Sequence, residues 1–569
     1  MKHIQRYALL FVAILVIATS CKKSVPEQTK YIPKDAMFVF DLNWKSLSEK
    51  ASKGNINWDS LFKSLSNPEE DSMMREGKKK LDDFIHSGID TTKDIFFFAK
   101  MGGSIMGGQS VSGGVVGGMK DAAQFEAYIK KQPDAGEVQK GSNYSYIKLT
   151  EGVYVGWNSD VVILAGSQNT PSRFYDSTGS SGSSGGANQQ VLAALFAQKE
   201  EESVSSIAEF RDLMNEKGDM LFWSNSSSAL SSVPFLGMTK FADLLKDSYG
   251  AGVINFEDGK VTASFKSYSG KDLADILKKY AGPTVDMSMV NQYPSPLEGY
   301  AAFSFNPQLI KEIIKYGGFE STVNQFMDKA GYSLDDILKV FKGDFAVVFS
   351  DISYNEKEYD YNGMQFKSKS PGAKLIFNAA IADKATYDKL AAKLADQGLM
   401  EMKNGQYVPS HMDGMAFSMD GKNLIIASDS SLLQQYLAAK GNAAIPSAVA
   451  DQSKGKAIAF YIDINKILEP FAADSSMGGE SARAAKATFS NATATSENYN
   501  GKYIASSMEL KMVNEKENSL VSLVKFFAAV SKEAVKMENR MNHGGMMDMD
   551  DMEMDSLKEM MPPPQPKSE

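Results

Sequence analysis

The chain has 569 residues, 43% of them hydrophobic and 23% charged, with a formal net charge of −9 and a single cysteine. That length allows roughly three or four domains, and the apolar fraction is that of a globular protein able to bury large cores. The acidic balance leaves no electrostatic footprint for nucleic acid, so no nucleic-acid partner is expected, and a sole cysteine excludes disulfide staples and cysteine-based zinc sites.

The first element lies outside any fold. Lys2 and Arg6 precede an apolar run, Tyr7–Ala18, and the small residues Ala18-Thr19-Ser20 lead directly into Cys21. A basic start, a short apolar middle and a small-residue end form an export signal. The run is shorter than the roughly 20 residues that a membrane span requires. Cys21 in this position reads as the lipidated first residue of the mature chain. Residues 1–20 are then a lipoprotein signal peptide and 21–30 a tether. Acyl chains such as palmitate, each buried methylene contributing about 0.8 kcal/mol, would hold the body to the bilayer.

The next segments occur twice. Pro33 opens P-K-D-A-M-F-V-F-D-L-N and Pro296 opens P-L-E-G-Y-A-A-F-S-F-N, so that Phe40 matches Phe303 and Asn43 matches Asn306. Each alternates as a half-buried strand does and runs into a helical stretch, Trp44–Ala51 or Pro307–Tyr316. The glycines of Gly102–Gly118 read as a mobile hairpin between strands. Asp121 and Asp383, 262 residues apart, each follow an apolar run and precede a periodic one, the signature of a helix N-cap. Gly152–Ala165 matches Gly414–Ala427, with hairpin turns at Asn158-Ser159 and Asp420-Gly421. Gly218–Leu230 resembles Gly455–Ile467, and a further hairpin turn at Asp258-Gly259 resembles Asn500-Gly501. Amphipathic helices, Asp272–Tyr280 and Ser519–Val530, close the copies. A Gly/Ser-rich loop at 177–186 is an insertion in the first copy.

Many strands, hairpin turns and few long helices predict an α+β class. The expected architecture is two tandem homologous lobes built on antiparallel sheets with flanking helices, 31–283 and 293–534, joined by a linker at 284–292. Residues 535–569 form an acidic, Met-rich tail ending in prolines. From Met541 onward it carries seven acids against two lysines and buries too little to fold alone. Its thioethers at Met546, Met547, Met549, Met552 and Met554, with His543, suit a soft ion such as Cu(I), although the interleaved aspartates oppose that.

Catalytic constellations are missing. His86 and His411 are isolated and fall at positions that do not correspond between the copies. Gly182-x-Ser184-x-Gly186 sits in a Gly/Ser run and lacks the strand-to-helix elbow of a nucleophile motif. Ser60-x-x-Lys63 and Ser145-x-x-Lys148 lack a partner K-T-G. No phosphate loop or dinucleotide fingerprint occurs, and no cofactor is expected. The four tryptophans all lie in the first copy. Trp157 and Trp223 read as core, whereas Trp44 and Trp58, near strand and helix ends, are the candidates for stacking a ligand. Short Asp-Ser/Thr-apolar sites match an O-glycosylation pattern, with Ser72 and Ser177 the loop positions.

Cys21, the opening Tyr31-Ile-Pro33-Lys-Asp-Ala, the strand ending Asp41-Leu-Asn43 and the tandem layout resemble a Bacteroidota envelope lipoprotein family, domain of unknown function 4836. The resemblance spans most of the mature chain and implies an envelope lipoprotein without supplying catalytic residues. Surface-exported lipoproteins of that phylum resemble one another in having acids directly after the cysteine. Here Lys22-Lys23-Ser24 follow, which favours the periplasmic leaflet of the outer membrane. The expected function is therefore a lipid-anchored, non-enzymatic binding or structural protein whose partners are the bilayer and an envelope protein or glycan. The groove between the lobes is the expected ligand site. The alternatives are a glycan-binding or glycan-processing lipoprotein and soft-metal binding by the tail.

Overall fold

A computed structural model describes residues 25–54, 83, 86–104, 108–132, 136–150, 152–170, 185–231, 239–329, 331–361, 364–403, 405–410, 414–438, 443–473 and 479–544. The fold is α+β, a large antiparallel sheet with flanking helices. Up to Pro283 the strands are β1 (Phe38–Leu42), β2 (Ile95–Ser104), β3 (Gly108–Gly118), β4 (Gln139–Lys140), β5 (Ser145–Thr150), β6 (Val153–Trp157), β7 (Val161–Thr170), β8 (Met220–Asn225), β9 (Tyr249–Glu257) and β10 (Lys260–Tyr268). Beyond it come β11 (Gly299–Ser304), β12 (Phe341–Tyr361), β13 (Met364–Ile381), β14 (Met400–Lys403), β15 (Gln406–Pro409), β16 (Ala416–Met419), β17 (Asn423–Ala427), β18 (Ile458–Asp463), β19 (Phe489–Ser496) and β20 (Tyr503–Met512).

Among the described residues 18 strands share one sheet, and β14 and β15 form a separate hairpin. From one end the pairings run β4–β5–β6–β7–β3–β2–β1–β8–β9–β10, and from the other β16–β17–β13–β12–β11–β18–β19–β20. The two runs meet where β10 pairs antiparallel with β20, Lys260 opposite Lys511 through Tyr268 opposite Tyr503. Strand β1 thus lies between β2 and β8, and β11 between β12 and β18.

Local chemistry explains the boundaries. Asn43 ends β1 and caps α1 (Trp44–Lys53), its side-chain oxygen accepting from the Ser46 N–H. Asp121 caps Ala122–Ile129 through the Ala123 and Gln124 N–H groups, and Asp383 caps Lys384–Asp396 through Thr386. Each cap satisfies backbone donors that the first helical turn leaves free. The β6–β7 and β16–β17 turns use one device. Asn158 Oδ1 accepts from the N–H groups of Asp160 and Val161, and Asp420 Oδ1 from those of Lys422 and Asn423. Side-chain oxygens that bond the backbone two and three residues on favour such turns.

One sequence expectation is corrected and two further segments gain detail. The Gly102–Gly118 run is mostly strand, because β2 and β3 pair along it from Phe96–Val116 to Ser104–Gly108. A Cβ on Gly113 would lie 2.8 Å from the Phe98 carbonyl oxygen, and one on Gly114 2.7 Å from that of Leu164, so glycine there permits close backbone approach. Residues 284–292, expected as a linker, hold the short helix Ser288–Asn291, and Met289 and Val290 are core. Tyr436 Oη fixes that segment by donating to the Met289 carbonyl at 2.7 Å. The closing helix, α2 (Ser519–Gly544), continues past Val530 into the expected tail. Its extension K-E-A-V-K-M-E-N-R-M is rich in helix formers.

Two large apolar clusters line one face of the sheet. Val39, Phe96, Phe98, Phe210 and Trp223 belong to the first, and Tyr293, Tyr300, Val348, Ile376 and Tyr436 to the second. Among the described residues no helix is long and apolar enough to cross a membrane.

Candidate binding groove

Strand residues alternate between two faces, and antiparallel sheets that cover one face commonly solvate the other with polar side chains. The strands around β11 break that habit. Tyr300 and Ala302 of β11, Ala346 and Val348 of β12, Ile376 of β13, and Ala459 and Tyr461 of β18 are buried in the core. The intervening positions Phe303, Phe345, Val347, Phe377 and Ile458 are apolar too, and they line a groove of about 550 Å³ on the opposite face. Phe303 and Ile458 each keep 40% of their surface exposed. Phe305 stacks on Phe345 with centroids 5.6 Å apart, and Phe345 packs against Phe377 at 6.4 Å, giving an aromatic floor.

The walls come from both sides of Pro283. Leu277, Tyr280 and Gly282 follow β10, Leu309 lies on the helix Gln308–Tyr316, and Ile504 belongs to β20. A Cβ on Gly282 would sit 3.0 Å from the Phe305 Cα, so the connection hugs the strand end. The rim is polar and its bonds are internal. Asn498 Nδ2 donates to the carbonyls of Gly282 and Pro283 at 3.0 and 3.1 Å, Tyr280 Oη donates to Glu312 at 3.1 Å, and Lys456 pairs with Glu497 at 2.6 Å. None of the groove's side chains has a buried polar atom without a partner. The interior therefore makes no hydrogen-bonding demand on an occupant and offers it apolar contact, as ligand pockets of roughly 300–1,000 Å³ commonly do.

Among the described residues, none of the candidate site residues singled out in the sequence lines the groove. Cys21, Trp58, Ser72, Ser177, His411, Met546, Met547, Met549, Met552 and Met554 are outside the described residues. His543 falls within the α2 backbone span. Trp44 is half-buried at the start of α1 and lines no part of the groove. Trp157 and Trp223 are core, in edge-on contact with Phe125 and Phe210, each pair 5.4 Å apart. Among the described residues no three His, Cys, Asp or Glu side chains converge as a metal site. The groove itself was missed because its floor joins β11, the β12–β13 hairpin and β18, which are separated in sequence. The signal available was the absence of polar residues at alternate positions of Y-A-A-F and F-A-V-V-F.

A family model described as a domain of unknown function, DUF4836, matches residues 28–520. The chain belongs to the DUF4836 family. The match takes in both β1 and β11 and every strand that lines the groove, so the groove is built within the DUF4836 region. No curated protein matches the chain. Two solved structures, crystal forms I and III of TP0453, align over 44% and 47% of this chain and 81% and 91% of theirs. Their identity is 9% and 10%, and the TM-score is 0.23 in each case. Similarity at that score transfers neither fold nor function.

Proposed function

We propose that this DUF4836 protein is a lipid-anchored envelope protein that binds a hydrocarbon chain in the groove, without catalysis. The observation that carries the reading is the apolar outer face of β11, β12, β13 and β18, left partly exposed beside a rim whose polar groups are already bonded. An extended acyl chain matches a floor that offers dispersion contacts and no unsatisfied donors or acceptors, with its head group at the Asn498 rim. Burying about ten methylenes at about 0.8 kcal/mol each gives about 8 kcal/mol, a micromolar affinity before ordering costs. Anchoring through Cys21 on the periplasmic leaflet of the outer membrane places the groove where such chains are plentiful. Two tandem homologous lobes remain the proposed origin of the repeated segments.

Titration with a fluorescent long-chain fatty acid tests the binding. Saturable binding is expected, weakened at least tenfold by Val347→Asp on the groove floor. A wild-type protein that never saturates, or a Val347→Asp variant that binds as well, would remove the reading. Incorporation of labelled palmitate that Cys21→Ala abolishes tests the anchor separately.

A further inference from the structure

A second cavity, of about 390 Å³, opens at the end of β1 and has the opposite chemistry. Alternation along F-V-F-D-L puts Asp41 on the same face as the core residue Val39. Asp41 is 4% exposed, and its Oδ1 is sealed from solvent without a hydrogen-bond partner. Asp94, immediately before β2, brings a second carboxyl to the same cavity. Its own backbone carbonyl is occupied by Gln28 Nε2 at 3.3 Å.

The nearby cation does not serve this pair. Lys50 of α1 bonds Asp219 at 2.5 Å and the Phe256 carbonyl at 2.8 Å. Asp219 also accepts from Ser46 Oγ and from the Phe256 N–H, both at 2.6 Å. That leaves Glu216, which is bonded to Lys266 at 2.7 Å, and the exposed Lys217 at the margin. A buried carboxyl is costly unless paired, and here two face one cavity with no cation assigned to them.

We propose that this cavity binds a primary ammonium group, held between the carboxyls of Asp41 and Asp94. An ammonium supplies three N–H donors and a compact charge, which two carboxyls and the surrounding polar wall can accept. Among the described residues no three acidic side chains converge as a metal site, so the pair suits an ammonium better than a calcium ion. Burial, with Asp94 adding to it, lifts the Asp41 carboxyl up to about 8, and burial raises Asp94 as well. A carboxyl held protonated in this way would give up its proton to the buffer when an ammonium binds. Pro26 lines the cavity, five residues after Cys21. If Cys21 is acylated, as proposed above, an extended tether of that length keeps Pro26 within about 18 Å of a bilayer. The ammonium belongs either to a soluble amine or to an ethanolamine lipid head group.

Calorimetric titration of the full chain with ethylammonium, in two buffers of different ionisation enthalpy, tests the site. Saturable binding with proton release is expected, at least tenfold tighter than for tetramethylammonium, which has no N–H donors. Asp41→Asn and, independently, the half-buried Asp94→Asn should each weaken it at least tenfold, so the test survives if one variant fails to fold. Release of bound ethylammonium by phosphatidylethanolamine vesicles, and not by pure phosphatidylcholine vesicles, assigns the head group. Retention with both assigns a soluble amine. Absence of saturable ethylammonium binding, equal binding of tetramethylammonium, or binding untouched in the folded variants would overturn the proposal, whatever the acyl-chain titration gives.

Discussion

The ends of β1 and β11 occupy like places in the sheet, each strand flanked by two antiparallel neighbours and each leading through an asparagine into a helix. Their chemistry differs. At β11 the inward acid is satisfied, because Ser304 Oγ donates to the buried Asp344 at 2.5 Å, and the open space lies on the apolar outer face. At β1 the acid is Asp41 itself, with no such donor, and the open space is lined by carboxyls. The ion pairs differ in the same sense. Asp219, the partner of Lys50, is 2% exposed, whereas Glu497, the partner of Lys456, is 45% exposed. A shared framework of strands thus leaves the charge state of each strand end free to be set by one or two side chains.

The largest test of that contrast is Asp219→Ala. It strands Lys50 in a half-buried place and removes three hydrogen bonds, so a loss of about 3–5 kcal/mol in denaturant unfolding is expected. The next is a pH effect. The folded carboxyl of Asp41 titrates at about 8 against an ordinary 3.8, so the folded state holds the proton more tightly. Its contribution is complete below about pH 4 and declines as pH rises towards 8. The decline is about 2 kcal/mol between pH 6 and 8, and Asp41→Asn should flatten it in melts across that range. Ser304→Ala removes the hydroxyl bonded to the buried Asp344, whose other oxygen keeps Lys342 at 3.4 Å, and should cost about 1–2 kcal/mol. Loss of the α1 cap in Asn43→Ala should cost about 1 kcal/mol. Glu497→Ala removes an acid that is 45% exposed from a lysine buried to the same degree as Lys50, and because solvent screens that acid it should change stability by less than about 1 kcal/mol. Were Asp219→Ala and Glu497→Ala equally mild, the proposed difference between the two strand ends would disappear.

Much of the framework is legible in residue order. Asn43, Asp121 and Asp383 announce helix starts because a side-chain acceptor before a periodic apolar run has few other uses. Asn158 and Asp420 announce turns for the same local reason. What depends on partners distant in sequence is hidden. The glycines of β3 look like turn residues until Phe98 and Leu164 are set against them. Met289 and Val290 look like a connector until Tyr436 reaches them. The groove floor is assembled from four strands, each of which alone reads as an ordinary apolar run. Asp41 was within reach, since an acid in step with Val39 on a strand is a local inconsistency of the kind functional positions leave.

The zipper between β10 and β20 has a practical consequence. Nine residues of each strand are in register opposite the other. A chain severed near Pro283 would expose two long raw borders of N–H and C=O groups, each able to recruit another molecule into a growing aggregate. Neither fragment is a safe stand-alone product, so synthesis, purification and unfolding must deal with the whole molecule at once.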